Sequence, residues 1–297
     1  MPEVHGKRVL SLEVQTMRHA AKIQIRTWAS QSLIYLVSII LLFLAFIPIF
    51  LMIILSLKAN IQIYSDFWAL PHPIMLKNYN IAINMLIPNM INTLIVVPVS
   101  TFFVVVLASV SGYVFARLEF PGKRFLFMFI LSLMMIPGVL TLTPLYRLIQ
   151  DLRIMNTWWA LILPWVAGGQ VFGILLCRTY ITGLPAALFE SARIDGATEL
   201  QSFVKIALPL SKPIIATLTI MSLIGQYNDF IWPLMAIDSN KKQVITVAIR
   251  VFQSATGNVD IGSMVAGFVF ATLPLLILFM GGSRLYIEGV TSGAVKG

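Results

Sequence analysis

Apolar residues fall along this chain in six long runs, separated by stretches rich in charge, proline and glycine: Leu33 to Leu57, Met90 to Ala116, Phe125 to Tyr146, Trp158 to Cys177, Leu208 to Ala236 and Gly262 to Ile287. A helix needs about 20 apolar residues to cross a bilayer core. The pattern therefore predicts an all-α membrane protein with six transmembrane helices. The first run follows a polar stretch, 1–32, is longer than a signal-peptide core and has no small-residue cleavage site behind it, so it is expected to stay in the membrane. Residues 58–89, with Asp66, Trp68, Pro71, Pro73 and Pro88, read as an ordered loop carrying aromatic interface anchors.

Composition sharpens this reading. Of 297 residues, 58% are apolar and 11% charged, and mean hydropathy is +0.89. So few polar side chains cannot cover the outside of a soluble core, which leaves lipid as the solvent. The 21 Lys and Arg against 12 Asp and Glu give a net charge of +9, which invites nucleic acid as a partner until the charges are placed. With a cytoplasmic N-terminus, fourteen basic residues lie on inner segments and seven on outer ones. That asymmetry predicts both termini in the cytoplasm and leaves nucleic acid unnecessary. The five basic groups of the first segment, Lys7, Arg8, Arg18, Lys22 and Arg26, are then placed to rest on anionic headgroups. A single cysteine, Cys177, excludes an internal disulfide, and three scattered histidines offer no metal-site spacing.

The most informative stretch lies between the fourth and fifth runs and reads GLPAALFESARIDGATELQSFVKIALPL from Gly183. Pro185 suits the first turn of a helix, and the pattern predicts a short helix from Ala186 to Ile194, stopped at Gly196. Thr198 and Gln201 have the spacing of a capping box that opens a second short helix to about Ala207, before Pro209 begins the next run. Leu188, Phe189 and Ala192 form an apolar stripe, with Glu190 and Arg193 toward the other side. Such a module either packs against its own bundle or binds a partner at the membrane surface.

Glu190, Ala192, Gly196, Ile206, Leu208 and Pro209 reproduce the EAA signature, in which E-A-A is followed after three residues by G, after nine more by I, and then by one residue and LP. Ser191 replaces the first alanine, small for small. The chain thus resembles the permease subunits of binding-protein-dependent ABC importers. PGKRFLF at Pro121, LTLTPLYRLIQDLRIMNT at Leu140, NDFIWPL at Asn228 and the ending GAVKG are similar to the carbohydrate-uptake branch, above all to the six-span permease of maltose importers.

That resemblance implies a type I importer fold with a permease core over 90–287, in the inner membrane of a bacterial cell. Within it, 185–209 would hold a cytoplasmic coupling helix whose Glu190, Ala192, Asp195, Gly196, Ile206, Leu208 and Pro209 couple it to a separate ATPase. It also implies two cytosolic ATPase subunits, a second permease subunit in a heterodimer, an extracytoplasmic sugar-binding protein, and ATP used by the partner. The outer tip with Gln253, Thr256, Gly257 and Asn258 resembles the loop such permeases insert into the binding protein, against the plainer reading of a connector. The tail, 288–297, either ends free in the cytosol or reaches the ATPase.

No GxxxxGK[ST] string occurs, so no ATP site, no catalytic residue and no resident cofactor are expected in the chain itself. The expected function is half of the pathway of an ATP-driven carbohydrate importer. The alternatives are a permease of the same architecture for another solute, or an ion-coupled carrier. A carrier needs an ionisable group near mid-bilayer. Asp229 comes nearest, but counted from Pro209 at about 1.5 Å per residue it sits roughly 30 Å along the fifth run, toward the outer edge. It is either a carboxylate capped by Tyr227 and Asn228 or, with Tyr227, Asn228 and Trp232, part of a sugar pathway's wall.

Overall fold

A computed structural model describes residues 31–250, 252 and 260–294, with side chains up to residue 282. The expectations for the basic first segment, for the tip with Gln253, Thr256, Gly257 and Asn258, and for the end of the tail lie outside the described residues. The chain divides at Leu55 into two units. The first holds most of α1, Gln31–Ser56, an apolar helix long enough to cross a membrane.

The second unit is a helical bundle around α3, Lys77–Arg117, which follows the short α2, Asn60–Ser65. Then come α4, Lys123–Ser132, α5, Gly138–Asp151, and α6, Trp159–Thr182. Three short helices follow: α7, Ala186–Ile194, α8, Glu199–Ser202, and α9, Leu208–Leu210. The unit ends with α10, Lys212–Asn228, α11, Ile231–Ala236, α12, Ile245–Ala248, and α13, Ile261–Ala294. Among the described residues, four helices are long and apolar enough to cross a membrane, and six spans result if each of two bent pairs counts as one.

The bent pairs correct two of the sequence-derived runs. Phe125 to Tyr146 is no single helix: α4 and α5 meet at 102°. Pro137 forces Ile136 out of the helical region, to φ −82° and ψ 116°, and the helix restarts behind it. The run from Leu208 to Ala236 is broken twice, by a 76° bend at Ser211 and again between α10 and α11 at Asp229. The second run is longer than expected, because α3 is a 41-residue helix beginning at Lys77 and running through Pro88 and Pro98. Residues 77–89, expected to be the end of the loop 58–89, are helical instead, because Ala82, Leu86 and Met90 bury against Tyr227, Ala266 and Ala271 of α10 and α13.

The tightest packing is between α3 and α6, which run parallel. A Cβ on Gly169 would lie 2.9 Å from Val104 Cγ1, one on Gly173 2.6 Å from Ala108 Cβ, and one on Gly112 2.5 Å from Cys177 Cβ. The two small-residue ladders have a four-residue period, which lets the backbones meet at van der Waals contact where no hydrophobic effect drives helices together. Gly173→Leu is expected to destabilise the pair by about 3 kcal/mol and lower the yield of monodisperse protein in detergent. Gly168→Ala, one turn away with open space at its Cβ, should leave that yield unchanged.

Candidate functional site

The loop between α6 and α10 folds as its residues dictate. Pro185 precedes α7, and at its other end Ala197 N–H donates to Ala192 O at 2.9 Å while Gly196 N–H donates to Arg193 O at 3.1 Å. This pair of bonds is a Schellman closure, and it needs a left-handed residue between the helix and the returning chain. Gly196 supplies it at φ +79°. The signature spacing from Ala192 to Gly196 is therefore the geometry of a helix stop. Thr198 then caps α8, with its side chain accepting from Gln201 N–H and Gln201 Oε1 accepting from Thr198 N–H at 2.9 Å. A π turn, Phe203–Ala207, leads into α9, where Pro209 has no N–H to give to the preceding turn.

What fixes this module to the bundle is a set of residues on α3. Arg117, at the end of the helix, donates from one guanidinium nitrogen to Leu184 O at 2.7 Å and to Ile181 O at 2.8 Å, the latter also accepting from Leu184 N–H where α6 ends. Its guanidinium carbon lies 4.1 Å from the centre of the Phe189 ring of α7. One turn earlier, Tyr113 hydroxyl donates to Glu199 Oε2 at 2.8 Å, and Arg193 donates to Glu199 Oε1 at 3.0 Å. The Arg193 pair is largely exposed and adds little, whereas the phenol bond to an ionised carboxylate from a buried Tyr113 is the stronger contact. Phe189, Ala207 and Ile206 close an apolar cluster with Tyr113, Ile181 and Leu218. A cavity of about 150 Å³ remains between Arg117, Glu190, Arg193 and Glu199.

The predicted residues divide accordingly. Ala192, Ile206 and Leu208 are half-buried, while Glu190, Asp195, Gly196 and Pro209 are exposed. Arg193 departs from the expected arrangement: it turns back to Glu199 rather than standing with Glu190, and Leu188 is exposed at 42% although it lies on the apolar stripe. The outward tip is apolar, with Ile194 exposed at 86% and Leu200 at 71%.

The sequence profile of the family described as binding-protein-dependent transport system inner membrane component matches residues 20–290. The chain belongs to this family. It is 33% identical to the melibiose/raffinose/stachyose import permease protein MelC of Bacillus subtilis, over 90% of this chain and 98% of that one. It is 35% identical to the arabinooligosaccharides transport system permease protein AraQ of Halalkalibacterium halodurans, over 69% and 71% of the two chains. A chain of the crystal structure of a bacterial ABC transporter for import of the acidic polysaccharide alginate superposes with a TM-score of 0.72 at 20% identity, covering 86% of this chain and 97% of that one, so the type I importer fold is shared. The protein is thus a multi-pass, all-α membrane permease.

Elsewhere in the permease, the four residues expected near a pathway are not equivalent. Tyr227 is buried, its hydroxyl donating to Ala271 O of α13, and Trp232 is buried, its Nε1 donating to Ala160 O of α6 at 2.8 Å. Both are packing residues in this structure. Asp229 is half-buried, but its neighbours do not cap it as expected. Trp165 Nε1 donates to Asp229 Oδ2 at 2.7 Å and the Trp232 N–H to Oδ1 at 3.4 Å, because the helix breaks at Asp229 and turns its carboxylate toward α6. Asn228 is exposed, with its amide donating to Ile224 O. Among the described residues no group of three His, Cys, Asp or Glu stands ready to hold a metal ion.

Tyr113, Arg117, Glu199 and Trp165 are functional candidates that sequence reasoning passed over. Arg117 had a signal, a cation closing an apolar run, but this was read only as a topology marker. Its partners are more than sixty positions away.

Proposed function

We propose that this permease forms half of the translocation pathway of an ATP-driven carbohydrate importer, with ATP bound and hydrolysed by separate cytosolic subunits that dock on α7. The reading rests chiefly on one observation: the tip formed by Ile194, Asp195, Gly196 and Leu200 is exposed and apolar at two positions, on a turn held rigidly to α3 and α6. An exposed apolar knob on a fixed turn suits a cleft in a partner protein. On this reading the α7 end of the bundle and both termini lie in the cytoplasm, as the basic residues favour, and residues 238–260 lie outside. A second permease subunit completes the pathway, and an external binding protein delivers the solute. Carbohydrate as the substrate class is supported by the names of the relatives, which include a trehalose/maltose permease of Thermococcus litoralis. Asn228, exposed beside the half-buried Asp229, is the best-placed wall residue.

The test is ATP hydrolysis by the assembled complex in nanodiscs. Binding protein offered raffinose, trehalose, maltotriose or arabinotriose should stimulate hydrolysis with at least one of them, and binding protein offered amino acids should not. Stimulation by an amino acid alone overturns the carbohydrate assignment. Replacing 253–260 with a glycine-serine linker should reduce the stimulation to near the basal rate, and unchanged stimulation would make that segment a connector.

A further inference from the structure

α3 is held by side-chain clamps at two levels. More than three turns past its start, Asn89 Nδ2 donates to Asn240 O at 2.8 Å and Gln243 O at 2.9 Å, and Asn92 Nδ2 donates to Lys241 O at 2.8 Å and Gln243 O at 3.0 Å. Thr93 Oγ1 accepts from Ile245 N–H at 2.8 Å. Five hydrogen bonds to three residues within about one turn thus fix the strap 238–245 to the helix, and all three side chains are buried. At the other end stand Tyr113 and Arg117, holding α8, α7 and the end of α6. Between Asn92 and Tyr113 the helix is continuous, about 32 Å at 1.5 Å per residue, which is the thickness of the hydrocarbon core. The α3 and α6 ladders stiffen that stretch.

The coupling module meets α10 through Leu218 of the apolar cluster, while the side-chain hydrogen bonds described above tie it to α3. Although α10 follows it in sequence, the backbone bends by 76° at Ser211, which is buried with its hydroxyl without a hydrogen-bond partner.

We infer that α3 is the rod connecting the cytoplasmic coupling helix with the external strap 238–245, and that Asn89, Asn92 and Thr93 are positioning residues for this transmission. The inference deepens the importer reading and rests on it. The strap leads directly into the segment proposed to meet the binding protein, so engagement outside and nucleotide-driven movement inside bias one rigid element. Such coupling is reciprocal: whatever the strap does to α7, α7 does to the strap. The arrangement can therefore be tested from the inside, with nucleotide as the only ligand.

The experiment places a spin label at Asp238→Cys on the strap, or at Lys205→Cys beside the coupling helix, each on a Cys177→Ala background in the complete complex. Both positions are exposed. Trapping the ATPases with ATP and vanadate should change the mobility of both labels in the parent. In the Asn89→Ala/Asn92→Ala variant the Lys205 response should persist, while the Asp238 response falls to about a fifth or less. A role confined to stability would move both labels together. If the double variant is not monodisperse, Asn92→Ala alone, which removes only two of the bonds, should lower the strap response and spare the inner one. A full strap response in either variant overturns the inference. Absence of any response at Lys205 in the parent overturns the ATPase-coupled reading and, with it, the inference.

Discussion

Gly196→Asp is expected to abolish transport, lowering uptake by at least about tenfold, a factor that corresponds to 1.4 kcal/mol, without unfolding the membrane helices. Gly196 sits at φ +79° at the tip of the module, and a Cβ there would meet no atom of this chain within 4 Å. Aspartate tolerates left-handed backbone better than most residues, so the turn can still form. What changes is the outward surface, where a charged side chain now stands between Ile194 and Leu200 and has to be desolvated in the partner's cleft. Gly196→Ala separates the two contributions. It keeps the surface small and adds left-handed strain of about 1–2 kcal/mol, so it should lose less activity than the aspartate variant. Uptake measured alongside detergent-extracted yield decides the matter, and equal loss in both variants would shift the cause from docking to backbone strain.

Arg117→Ala is expected to have the next largest effect, on assembly rather than on a single contact. The substitution takes the guanidinium donor from Leu184 O and from Ile181 O, which keeps only the Leu184 N–H at 3.2 Å, and uncovers the Phe189 ring. Losing charge-assisted hydrogen bonds and the cation–ring contact costs about 2–4 kcal/mol together. The module should then detach from α3 locally, and recovery of the ATPase subunits with the permease should drop several-fold. Arg117→Lys, with a point charge in place of a fork, can reach one carbonyl well and should restore part of the recovery. Undiminished recovery in Arg117→Ala would mean that the apolar cluster around Phe189 holds the module unaided.

How much of this was legible in the sequence depended on distance along the chain. The α7 helix, its glycine stop and the Thr198–Gln201 box were predicted residue for residue, because capping and left-handed closure are decided within five positions. The apolar runs were visible, but their breaks were not weighted correctly: Pro137 ends a helix while Pro88, Pro98, Pro164 and Pro274 are carried inside helices. Which outcome follows depends on whether neighbouring helices pack around the freed carbonyl, and that is tertiary information. For the same reason the buried Tyr227 and Trp232 passed for wall residues, since their partners lie 44 and 72 positions away. The clamps on α3 were illegible altogether. Asn89 and Asn92 reach acceptors about 150 positions ahead, and from sequence alone the first looked like the end of a loop and the second like part of an apolar run.

The central claim, a permease driven by a separate ATPase, is tested most directly by uptake into liposomes. The purified chain alone should import no labelled sugar under either a proton or a sodium gradient. The complex with its second permease, ATPase subunits and binding protein should import the sugar that stimulates hydrolysis, with ATP in the lumen where the ATPases face inward. Uptake that requires ATP and every partner is the predicted result. Gradient-driven uptake by the chain alone would contradict the account and make it an ion-coupled carrier.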